Sequence, residues 1–450
     1  MKRPNPRLLA FEILQRVEDG AFADMVLDST LKAFPSMDSR DRGLCSELVY
    51  GVLRYQGRLD GALARFCARP LAKLERSVLQ LLRLGAYQIL CLDRIPGRAA
   101  VNETVNLTHL LGLKRASGFV NGILRSLERG KEELSWPDPA ADPLGALEQV
   151  GSIPRWLAAR WFAEMGFEEA MALAEANLEP APRTLRVNRL KIDPAAYQAK
   201  LLEEGLEAEP TAYAPEGLIL APRSGRQLSG YDEGLCQLQD EASQIVAQLL
   251  GAKPGERILD VCAAPGGKTT QLAALCGNEA KVMAIDLHPQ RVALIQEGAK
   301  RLGAGCIDAR VWDMCRRPDF LDPASFDRVL VDAPCSGLGV LRRNPEIRWR
   351  RTEAEIAELA RLQRAILETS APLVKPGGRL IYSLCTWTKE EAAGVVADFL
   401  AAFPDFERLD LRLEAPSHWA ELFDAEGCLR TWPHRHGMDG FFAAGFLRRA

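Results

Sequence analysis

Two cysteines in the C-terminal half of the chain each follow an apolar segment. Cys335 ends the stretch VLVDAPC, and Cys385 ends the stretch LIYSLC. Short apolar runs between helical stretches are typical of buried strands, and the carboxyl ends of parallel strands meet at one edge of a sheet. If these strands are neighbours, two thiols and the carboxylate of Asp332 converge there. Because a thiolate is a strong nucleophile, this trio predicts covalent catalysis.

Two other interpretations of these cysteines stay open. A cysteine is most often a buried structural residue, and a neighbouring pair could also form a disulfide. The chain has 11 cysteines, an odd number without any Cys-x-x-Cys pair. That usage is typical of reduced thiols in a cytoplasm, and it disfavours both disulfides and a zinc site.

A glycine-rich loop, VCAAPGGKTT, follows an earlier predicted strand that ends at Asp260. Gly266 and Gly267 allow a tight turn and the close approach of a ligand to a helix start. A P-loop needs glycine five residues before its Gly-Lys-Thr, where this chain has Cys262, and the dinucleotide pattern Gly-x-Gly-x-x-Gly is absent. The loop is therefore predicted to bind a ligand that lacks a phosphate and presents an adenosine and an amino-acid tail.

Acidic residues end the next two predicted strands. Asp286 follows KVMAI and can accept both hydroxyls of a ribose, and Asp313 follows CIDARVW and can reach an adenine amino group. One aspartate at a strand end is more often a loop cap than a ligand. Three at successive strand ends, with Asp260 the first, indicate a nucleoside-binding edge.

The sequence after residue 236 supplies the sheet that must position these residues. Apolar segments alternate with amphipathic helical stretches across 237–450. The alternation predicts a catalytic α/β domain, a doubly wound Rossmann-like fold with a parallel sheet. The predicted strands are ERILDVC, KVMAIDL, CIDARVWD, FDRVLVDAP and GRLIYSLCT. The last segment, FFAAGFLRR, is predicted to close the sheet as its edge strand.

Three regions precede this domain. Apolar residues recur at helical spacing throughout 1–133, which predicts an all-α domain of packed helices. The stretch 134–153 is rich in Pro and Asp and is predicted to be a linker or an extended connection. Within 154–236, a helix starting near PRWLAARWF, a strand TLRVNRLK, a second helix and a strand EGLIL predict a small α+β subdomain.

Charge is distributed unevenly along the chain. Residues 1–131 hold 21 Lys and Arg against 13 Asp and Glu, a net charge of +8, so the remainder carries −11 of the total of −3. A basic front module favours contact with phosphates, although a solvated helical surface would give the same balance. Two further basic groups could contact phosphates or solvent equally: Arg183, Arg186, Asn188, Arg189 and Lys191 on one strand, and Arg342, Arg343, Arg348, Arg350 and Arg351 after Cys335.

Several classes of protein are excluded or disfavoured. The apolar runs are too short for a membrane span, and the charged N-terminus has no apolar signal core, so a cytoplasmic protein is predicted. His434 and His436 lie near Asp439, but two His and one Asp on a loop more often make local hydrogen bonds or touch RNA, and no metal is expected.

The motifs DVCAAPGGKT, AIDLHPQR, DAPCSGLGVLRRNPEIRW and YSLCT with its following EE resemble those of the NOL1/NOP2/sun family of RNA cytosine-5 methyltransferases. The resemblance covers about residues 150–450. The basic helical front is similar to the NusB-like domain found in the bacterial ribosomal RNA branch of that family. Together the two resemblances span nearly the whole chain.

The resemblance implies a methyl transfer from S-adenosyl-L-methionine to carbon 5 of a cytosine in small-subunit (16S) ribosomal RNA, acting on unassembled RNA. It implies that Cys385 is the nucleophile, that Cys335 assists product release and that Asp332 binds the cytosine. No metal and no membrane are expected, and a monomer is predicted. The residues implied to contact the cofactor are Cys262, Ala263, Ala264, Pro265, Gly266, Gly267, Lys268, Asp286, Asp313 and Asp332.

Two departures and two rival functions accompany this interpretation. The family commonly has Thr-Cys-Ser where this chain has Leu384-Cys385-Thr386, and an Asn often follows the two glutamates where it has Ala392. Thr386 keeps a hydroxyl.

The rivals are a non-catalytic RNA-binding factor of the antitermination type with a vestigial methyltransferase domain and a methyltransferase acting on an exocyclic nitrogen or a protein side chain. The latter typically uses an Asn-Pro-Pro-Tyr loop where this chain has Asp-Ala-Pro-Cys.

Overall fold

A computed structural model describes residues 4–221 and 228–450. The chain forms two compact units. The first, called the helical unit, comprises residues up to Pro180 together with Leu341–Arg350. The second, called the sheet unit, comprises Ala181–Val340 and Arg351–Ala450. No helix in the described part of the chain is long and apolar enough to cross a membrane.

The helical unit confirms the predicted all-α front. Its core is made by apolar residues at helical spacing, such as Leu9, Ile13 and Leu14, and Asn5 and Asp38 cap the first and third helices through their side-chain oxygens. The helices are α1 (Pro6–Glu18), α2 (Ala23–Ala33), α3 (Ser39–Ala64), α4 (Arg76–Cys91), α5 (Gly97–Leu110), α6 (Ser117–Gly130), α7 (Pro143–Gln149) and α8 (Arg155–Ala176).

The extended connection predicted over 134–153 is wrong for its second half, which forms helix α7. Asp142 caps this helix by accepting a hydrogen bond from Gly145 N, and Pro143 fits the first turn because its missing N–H would have no partner there. Leu147 is fully buried. Pro and Asp therefore mark a helix start at this place, and the domain boundaries at 133 and 153 stay predictions.

The small α+β subdomain is confirmed in its two predicted strands and its second helix. The strands are β1 (Arg183–Val187), β2 (Ala208–Pro210), β3 (Gly217–Leu220) and β4 (Cys236–Leu238), with helix α9 (Pro194–Glu203). They form an antiparallel sheet in the order β2-β3-β1-β4. Helix α8, predicted to belong to this subdomain, lies in the helical unit.

The five predicted parallel strands are confirmed. The elements that follow are α10 (Glu241–Leu249), β5 (Arg257–Val261), α11 (Gly267–Leu275), β6 (Lys281–Asp286), α12 (Pro289–Leu302), β7 (Ile307–Val311), β8 (Phe326–Asp332), α13 (Ile347–Arg350), α14 (Glu353–Ser370), β9 (Val374–Leu384), α15 (Ala393–Ala402), β10 (Phe406–Leu409), β11 (Leu429–Arg430), α16 (Pro433–His436) and β12 (Phe442–Arg448). The short helix α13 belongs to the helical unit.

The large sheet has the order β10-β12-β9-β8-β5-β6-β7, with β11 beside β12. Strands β5 to β9 are parallel, and β12 and β10 are antiparallel to their neighbours. From β5 the chain proceeds towards β7 on one side and from β8 towards β9 on the other. The strand order therefore reverses between β5 and β8, which is where an open α/β sheet binds its ligand.

The prediction that the last segment forms the edge of the sheet is wrong. Strand β12 lies between β9 and β10, and its first five residues are buried. The edge strand is β10, which is short and largely exposed. Its sequence, FERL, carries little of the apolar signal by which a strand is recognised, so sequence pattern does not indicate a strand at this position.

Candidate active site

The two thiols predicted to converge lie side by side. Strands β8 and β9 are parallel neighbours in which Asp332 pairs with Ser383, so the loops that follow them leave the same edge. The sulfur atoms of Cys335 and Cys385 are 3.1 Å apart. The N–H of Gly339 donates a hydrogen bond to the carbonyl of Cys385 at 2.9 Å, which ties the two loops together.

A buried carboxylate holds both cysteine loops in place. Glu391 is fully buried and accepts hydrogen bonds from Ser336 N at 2.8 Å, from the Thr388 hydroxyl at 2.8 Å and from the Gln363 amide at 3.0 Å. The first donor is the residue after Cys335, and the second is in the loop that follows Cys385. The Gln363 amide also donates to the carbonyl of Pro334 at 2.9 Å. These hydrogen bonds restrict the positions that the two sulfur atoms can take.

The two residues that depart from the family pattern, Thr386 and Ala392, are both fully buried. Thr386 is fully buried, and the Ser336 hydroxyl donates to its hydroxyl oxygen at 2.9 Å, so this residue adds another contact between the loops. Ala392 is also fully buried, and its N–H donates to the carbonyl of Thr388 at 2.8 Å. Its methyl group makes no hydrogen bond, so only its backbone supports the loop.

Asp332 and Lys268 form an ion pair beside the thiols. The Lys268 ammonium lies 2.7 Å from one carboxylate oxygen of Asp332, and the Ser383 hydroxyl donates to the other at 2.7 Å. The ammonium also lies 5.0 Å from the centre of the Phe441 ring. Lys268 is 8% exposed, so the pair sits in a partly water-excluded site, where electrostatic interactions are stronger than in water.

The glycine-rich loop turns sharply between β5 and α11. Gly266 has φ +97°, a conformation that favours glycine, and a Cβ there would make a tight contact with Ile295 at 3.2 Å. Cys262 also has a positive φ of 59°, and the Ala264–Pro265 peptide bond is cis. The N–H of Ala264 donates to the carboxylate of Asp286 at 3.1 Å, which links the loop to the end of β6.

The acidic strand ends fit a cationic nucleoside such as S-adenosyl-L-methionine. One oxygen of the buried Asp260 accepts a hydrogen bond from the Thr269 hydroxyl at 2.6 Å, and the other has no partner within the described residues. Burial raises the pKa of Asp260 to about 7, against the hydrogen bond from Thr269, which lowers it. Asp286 is buried at the end of β6, whereas Asp313, after β7, is more exposed and accepts from Cys315 N at 2.9 Å.

Two polar residues predicted to face phosphate or solvent from the first strand of the small subdomain are buried instead. They are Arg186 and Asn188. The Arg186 guanidinium donates to the Gly267 carbonyl, to the Gln239 side chain and to the Thr270 hydroxyl. It therefore supports the first turn of α11, where the glycine-rich loop ends. Burial lowers its pKa to about 9.

Two arginines of the run after Cys335, Arg342 and Arg348, are buried. Arg348 is fully buried in the helical unit, where its guanidinium donates to the carbonyls of Ser152, Asn177 and Leu341, so neither of the two alternatives, phosphate or solvent, holds for this residue. Arg342 is 6% exposed, which leaves its side chain little access to a phosphate. Nothing in the spacing of these arginines indicates that some of them face a protein interior.

Arg351, the last residue of the run, lies in the sheet unit beside the thiol loop. Its guanidinium donates to the carbonyls of Ser336 at 3.1 Å and Cys335 at 3.4 Å. These hydrogen bonds bring a positive charge to the backbone of the loop that carries Cys335. One arginine of the run therefore contacts the backbone of the thiol loop.

The two histidines near the C-terminus make local contacts. The Nδ1 atom of His436 accepts a hydrogen bond from Trp432 N at 2.9 Å, and its ring meets the edge of Tyr213. Burial lowers the pKa of His436. Among residues 4–221 and 228–450, no group of three or more His, Cys, Asp or Glu is arranged to hold a metal ion.

The sequence alone predicts the thiols and the strand-end aspartates but not the residues that support them. Glu391 stands out in the sequence only as part of the EE pair, and Gln363 has no local signal, because its contacts come from distant parts of the chain. Arg186 is conspicuous for its charge, which does not indicate its burial. These residues share one property, since each holds a loop that carries a predicted site residue.

Three family models match successive parts of the chain. The model of the NusB family matches residues 4–129, a ferredoxin-like domain of RsmF/B-type methyltransferases matches 153–224, and the model of the 16S rRNA methyltransferase RsmB/F matches 247–447.

Curated relatives match over the full length. The probable ribosomal RNA small subunit methyltransferase B of Bacillus subtilis is 38% identical and covers 100% of both chains, and the ribosomal RNA small subunit methyltransferase B of Pseudomonas putida is 37% identical over 99% of each. Two solved structures agree. The crystal structure of PH0851 has a TM-score of 0.82 at 28% identity and 99% coverage of both chains. A methyltransferase homolog protein from Pyrococcus horikoshii has a TM-score of 0.58 at 30% identity, over 69% of this chain and 100% of its own.

The parallel sheet, the glycine-rich loop at the switch in strand order and the acidic strand ends define an S-adenosylmethionine-dependent methyltransferase. The chain belongs to the RsmB/F family of 16S rRNA methyltransferases, with the NusB-like helical front and the ferredoxin-like subdomain matched by their own models.

Proposed function

We propose that this protein methylates carbon 5 of one cytosine in 16S ribosomal RNA, through a covalent bond between the sulfur of Cys385 and carbon 6 of that base. The observation that carries the proposal is the 3.1 Å separation of the Cys385 and Cys335 sulfur atoms at the strand edge beside Asp332. A methyltransferase that acts on an exocyclic nitrogen needs no nucleophilic thiol, and a second thiol in contact with the first would have no use there.

The surroundings of Cys335 favour a division of roles between the thiols. The hydrogen bond with Cys385 and burial both raise the pKa of Cys335 well above that of an ordinary thiol. Cys335 is therefore a neutral thiol at rest and can donate its S–H to a Cys385 thiolate. Arg351 donates to the carbonyls of Cys335 and Ser336 and pairs with Glu355 at 3.4 Å, so it supports the backbone of the loop that carries Cys335.

The reaction begins with addition of the Cys385 thiolate to carbon 6. Carbon 5 of cytosine is a poor nucleophile, and the new C–S bond makes it enamine-like while the displaced π electrons are taken up by the ring with a proton at nitrogen 3. Bound S-adenosyl-L-methionine supplies an electrophilic methyl group. Once carbon 5 carries the methyl group, a base removes the proton from carbon 5, the C5–C6 double bond re-forms and the Cys385 thiolate is expelled. Nitrogen 3 gives up the proton that it took on, so the product is neutral 5-methylcytosine. Cys335 is placed to assist this last step.

Asp332 and Lys268 are suited to hold the target base. A carboxylate can accept a hydrogen bond from the amino group of cytosine and, once nitrogen 3 is protonated, from that N–H as well, which keeps the proton there while the thiolate adds. The ammonium of Lys268, 2.7 Å from Asp332, fixes the carboxylate and offers a donor to the base. The base must be single-stranded or flipped out, because a stacked base does not present carbon 6.

The glycine-rich loop and the acidic strand ends are proposed to hold the cofactor. Asp286 would bind the ribose hydroxyls, Asp313 the adenine amino group, and the backbone of the loop the amino-acid part. The full set is Cys262, Ala263, Ala264, Pro265, Gly266, Gly267, Lys268, Asp286, Asp313 and Asp332.

We further propose that the protein acts as a monomer, in the cytoplasm, on 16S ribosomal RNA that is not yet assembled. All 11 cysteines are free thiols, as expected in a reducing compartment. A flipped cytosine is more accessible in unassembled RNA than in a particle covered by ribosomal proteins.

The chemical test is to locate the methyl group. Unmodified 16S ribosomal RNA made by transcription is incubated with the protein and S-adenosylmethionine carrying a labelled methyl, and the RNA is digested to nucleosides. Mass spectrometry is expected to find the label in 5-methylcytidine at one position. A label on a nitrogen or on another base would exclude the thiolate route, and no incorporation by protein that binds the RNA would favour a non-catalytic factor.

A further inference from the structure

A groove of about 820 Å³ opens on the helical unit where the turn before α4 meets the turn between α5 and α6. The charged residues that line it are mostly cations. Four cations and one carboxylate line it: Arg69, Lys73, Lys114, Arg115 and Glu75. Four positive charges against one negative give a net of +3. Leu74, Leu113 and Phe119 line the same groove and supply apolar surface between the charges.

The four cations have no partner among the residues that the structure describes. In the part of the chain that the structure describes, none of their side chains makes an ion pair, a hydrogen bond or a ring contact, and all four are exposed. Like charges on neighbouring turns repel, so the cluster costs folding free energy unless an anion covers it. Ordinary surface cations scatter or pair with acids, as Lys32 does with Asp28 at 2.8 Å.

A second groove of the helical unit provides a contrast. It has a volume of about 1060 Å³ and is lined by three cations and four carboxylates, so its charges nearly balance. Its lining residues include Arg7, Arg40, Arg94, Asp38, Asp41, Glu47 and Asp93. The basic character of the front of the chain is therefore concentrated in the first groove rather than in every concave surface of the unit.

We propose that the groove of Arg69, Lys73, Lys114 and Arg115 binds backbone phosphates of the RNA substrate. The proposal rests on the proposed function in that the bound polymer is the substrate RNA. Guanidinium and ammonium groups bind phosphate by charge-assisted hydrogen bonds, and apolar side chains between them accept sugars or unstacked bases. Contacts of this kind position an RNA without reading its sequence.

The test combines a loss variant and a gain variant of the full-length protein. Changing all four cations to alanine removes the positive charge from the groove. Glu75→Gln removes the carboxylate from the groove. The Glu75 side chain accepts no hydrogen bond from a helix N–H, so the substitution removes no helix cap. Binding to unmodified 16S ribosomal RNA is measured between about 50 and 200 mM salt, and KM and kcat are measured at one salt concentration.

The four-alanine variant is expected to bind at least about ten-fold more weakly. The slope of log affinity against log salt becomes less steep by about 1 for each phosphate that the variant no longer neutralises. The defect appears in the KM for RNA rather than in kcat. Glu75→Gln is expected to bind more tightly than the wild-type protein, with a steeper slope.

The matched control removes two exposed cations from α6, Arg125 and Arg129, and is expected to leave the affinity within about two-fold of the wild type. Arg129 lies about 18 Å along the helix from Ser117, and neither of the two cations lines the groove. A decrease of log affinity in this control that is equal for each charge removed would overturn the proposal, because net charge alone would then explain the effect.

Unchanged affinity and slope in the four-alanine variant would also overturn the proposal. An acidic protein segment would then be the better candidate ligand of the groove. The proposed function fails separately. A wild-type product other than 5-methylcytidine contradicts the chemistry, whereas the affinity comparison still decides whether the groove binds RNA.

Discussion

The buried carboxylate of Glu391 accepts a hydrogen bond of 2.8 Å from the backbone N–H of Ser336, the residue that follows Cys335. The two residues are 55 positions apart in the sequence. The same carboxylate accepts from Thr388, three residues after Cys385. One side chain thus fixes both loops whose sulfur atoms are in contact.

Replacing Glu391 by Gln is expected to destabilise the fold and slow catalysis. Three donors point at the carboxylate, and an amide group must turn its NH₂ towards one of them, which leaves a buried donor unsatisfied at a cost of about 1 to 3 kcal/mol. The free energy of unfolding in urea measures the first effect. The kcat for methyl transfer is expected to fall about ten-fold or more, with KM for RNA little changed, because the sulfur atoms lose their alignment.

The matched control is Glu390→Gln, one residue earlier and only partly buried. It removes the same charge and leaves the three hydrogen bonds of Glu391 in place, so its kcat is expected to stay near that of the wild type. Equal effects of the two substitutions would show that charge near the site, rather than the hydrogen bonds of Glu391, matters.

The two thiols are expected to differ when each is replaced by alanine. Cys385→Ala removes the nucleophile and should abolish methylation without forming any covalent complex. Cys335→Ala keeps the nucleophile and impairs its release, so an enzyme–RNA adduct should accumulate and survive a denaturing gel. The adduct is detected with end-labelled RNA and S-adenosylmethionine, and the double variant should not form it. An adduct of equal yield in Cys385→Ala would show that another residue attacks the base.

Arg186→Met is expected to weaken cofactor binding. The substitution leaves the Gly267 carbonyl and the Gln239 side chain without their buried donor, so the first turn of α11 loses support. Isothermal calorimetry should show an affinity for S-adenosylmethionine lower by about ten-fold, which is about 1.4 kcal/mol. Arg189→Met, just after the same strand but exposed and 3.6 Å from Glu216, should leave the affinity unchanged. A similar decrease in both variants would indicate a general effect of charge.

The chemistry of the site could be predicted because its signals are local. A strand of apolar residues that ends at Asp332 and is followed by Cys335 can be recognised within ten residues of sequence. The glycines at 266 and 267 likewise indicate a turn from the sequence alone. Neighbouring strands then bring the loops together, since the carboxyl ends of parallel strands share one edge. The five parallel strands of the sheet follow from that local pattern.

The supports of the site could not be predicted because they depend on distant partners. Arg186 looks like a solvent-facing residue in its own strand, and only the packing of β1 against α11 explains why a charged side chain is buried there. Arg348 is similar, since three carbonyls from separate segments satisfy its guanidinium. The edge strand β10 escapes prediction for a different reason, because it is short and exposed and has little apolar pattern.

The stability of the protein without cofactor is expected to depend on the titration of Asp260. Burial raises the pKa of its carboxyl from 3.8 to about 7 in the folded state. Between these values the unfolded chain loses the proton and the folded chain keeps it. Stability therefore falls as pH rises, by about 1.4 kcal/mol per pH unit, and levels off above pH 7.

Replacing Asp260 by Asn tests this dependence, because the amide keeps an acceptor for Thr269 and cannot ionise. The stability of Asp260→Asn relative to the wild type, measured as the free energy of unfolding in urea, is expected to be about 2 to 3 kcal/mol greater at pH 8 than at pH 5. Asp308→Asn, at an exposed position, should show no such difference. The same relative stability of Asp260→Asn at both pH values would mean that the Asp260 carboxylate is already ionised in the folded protein at pH 5.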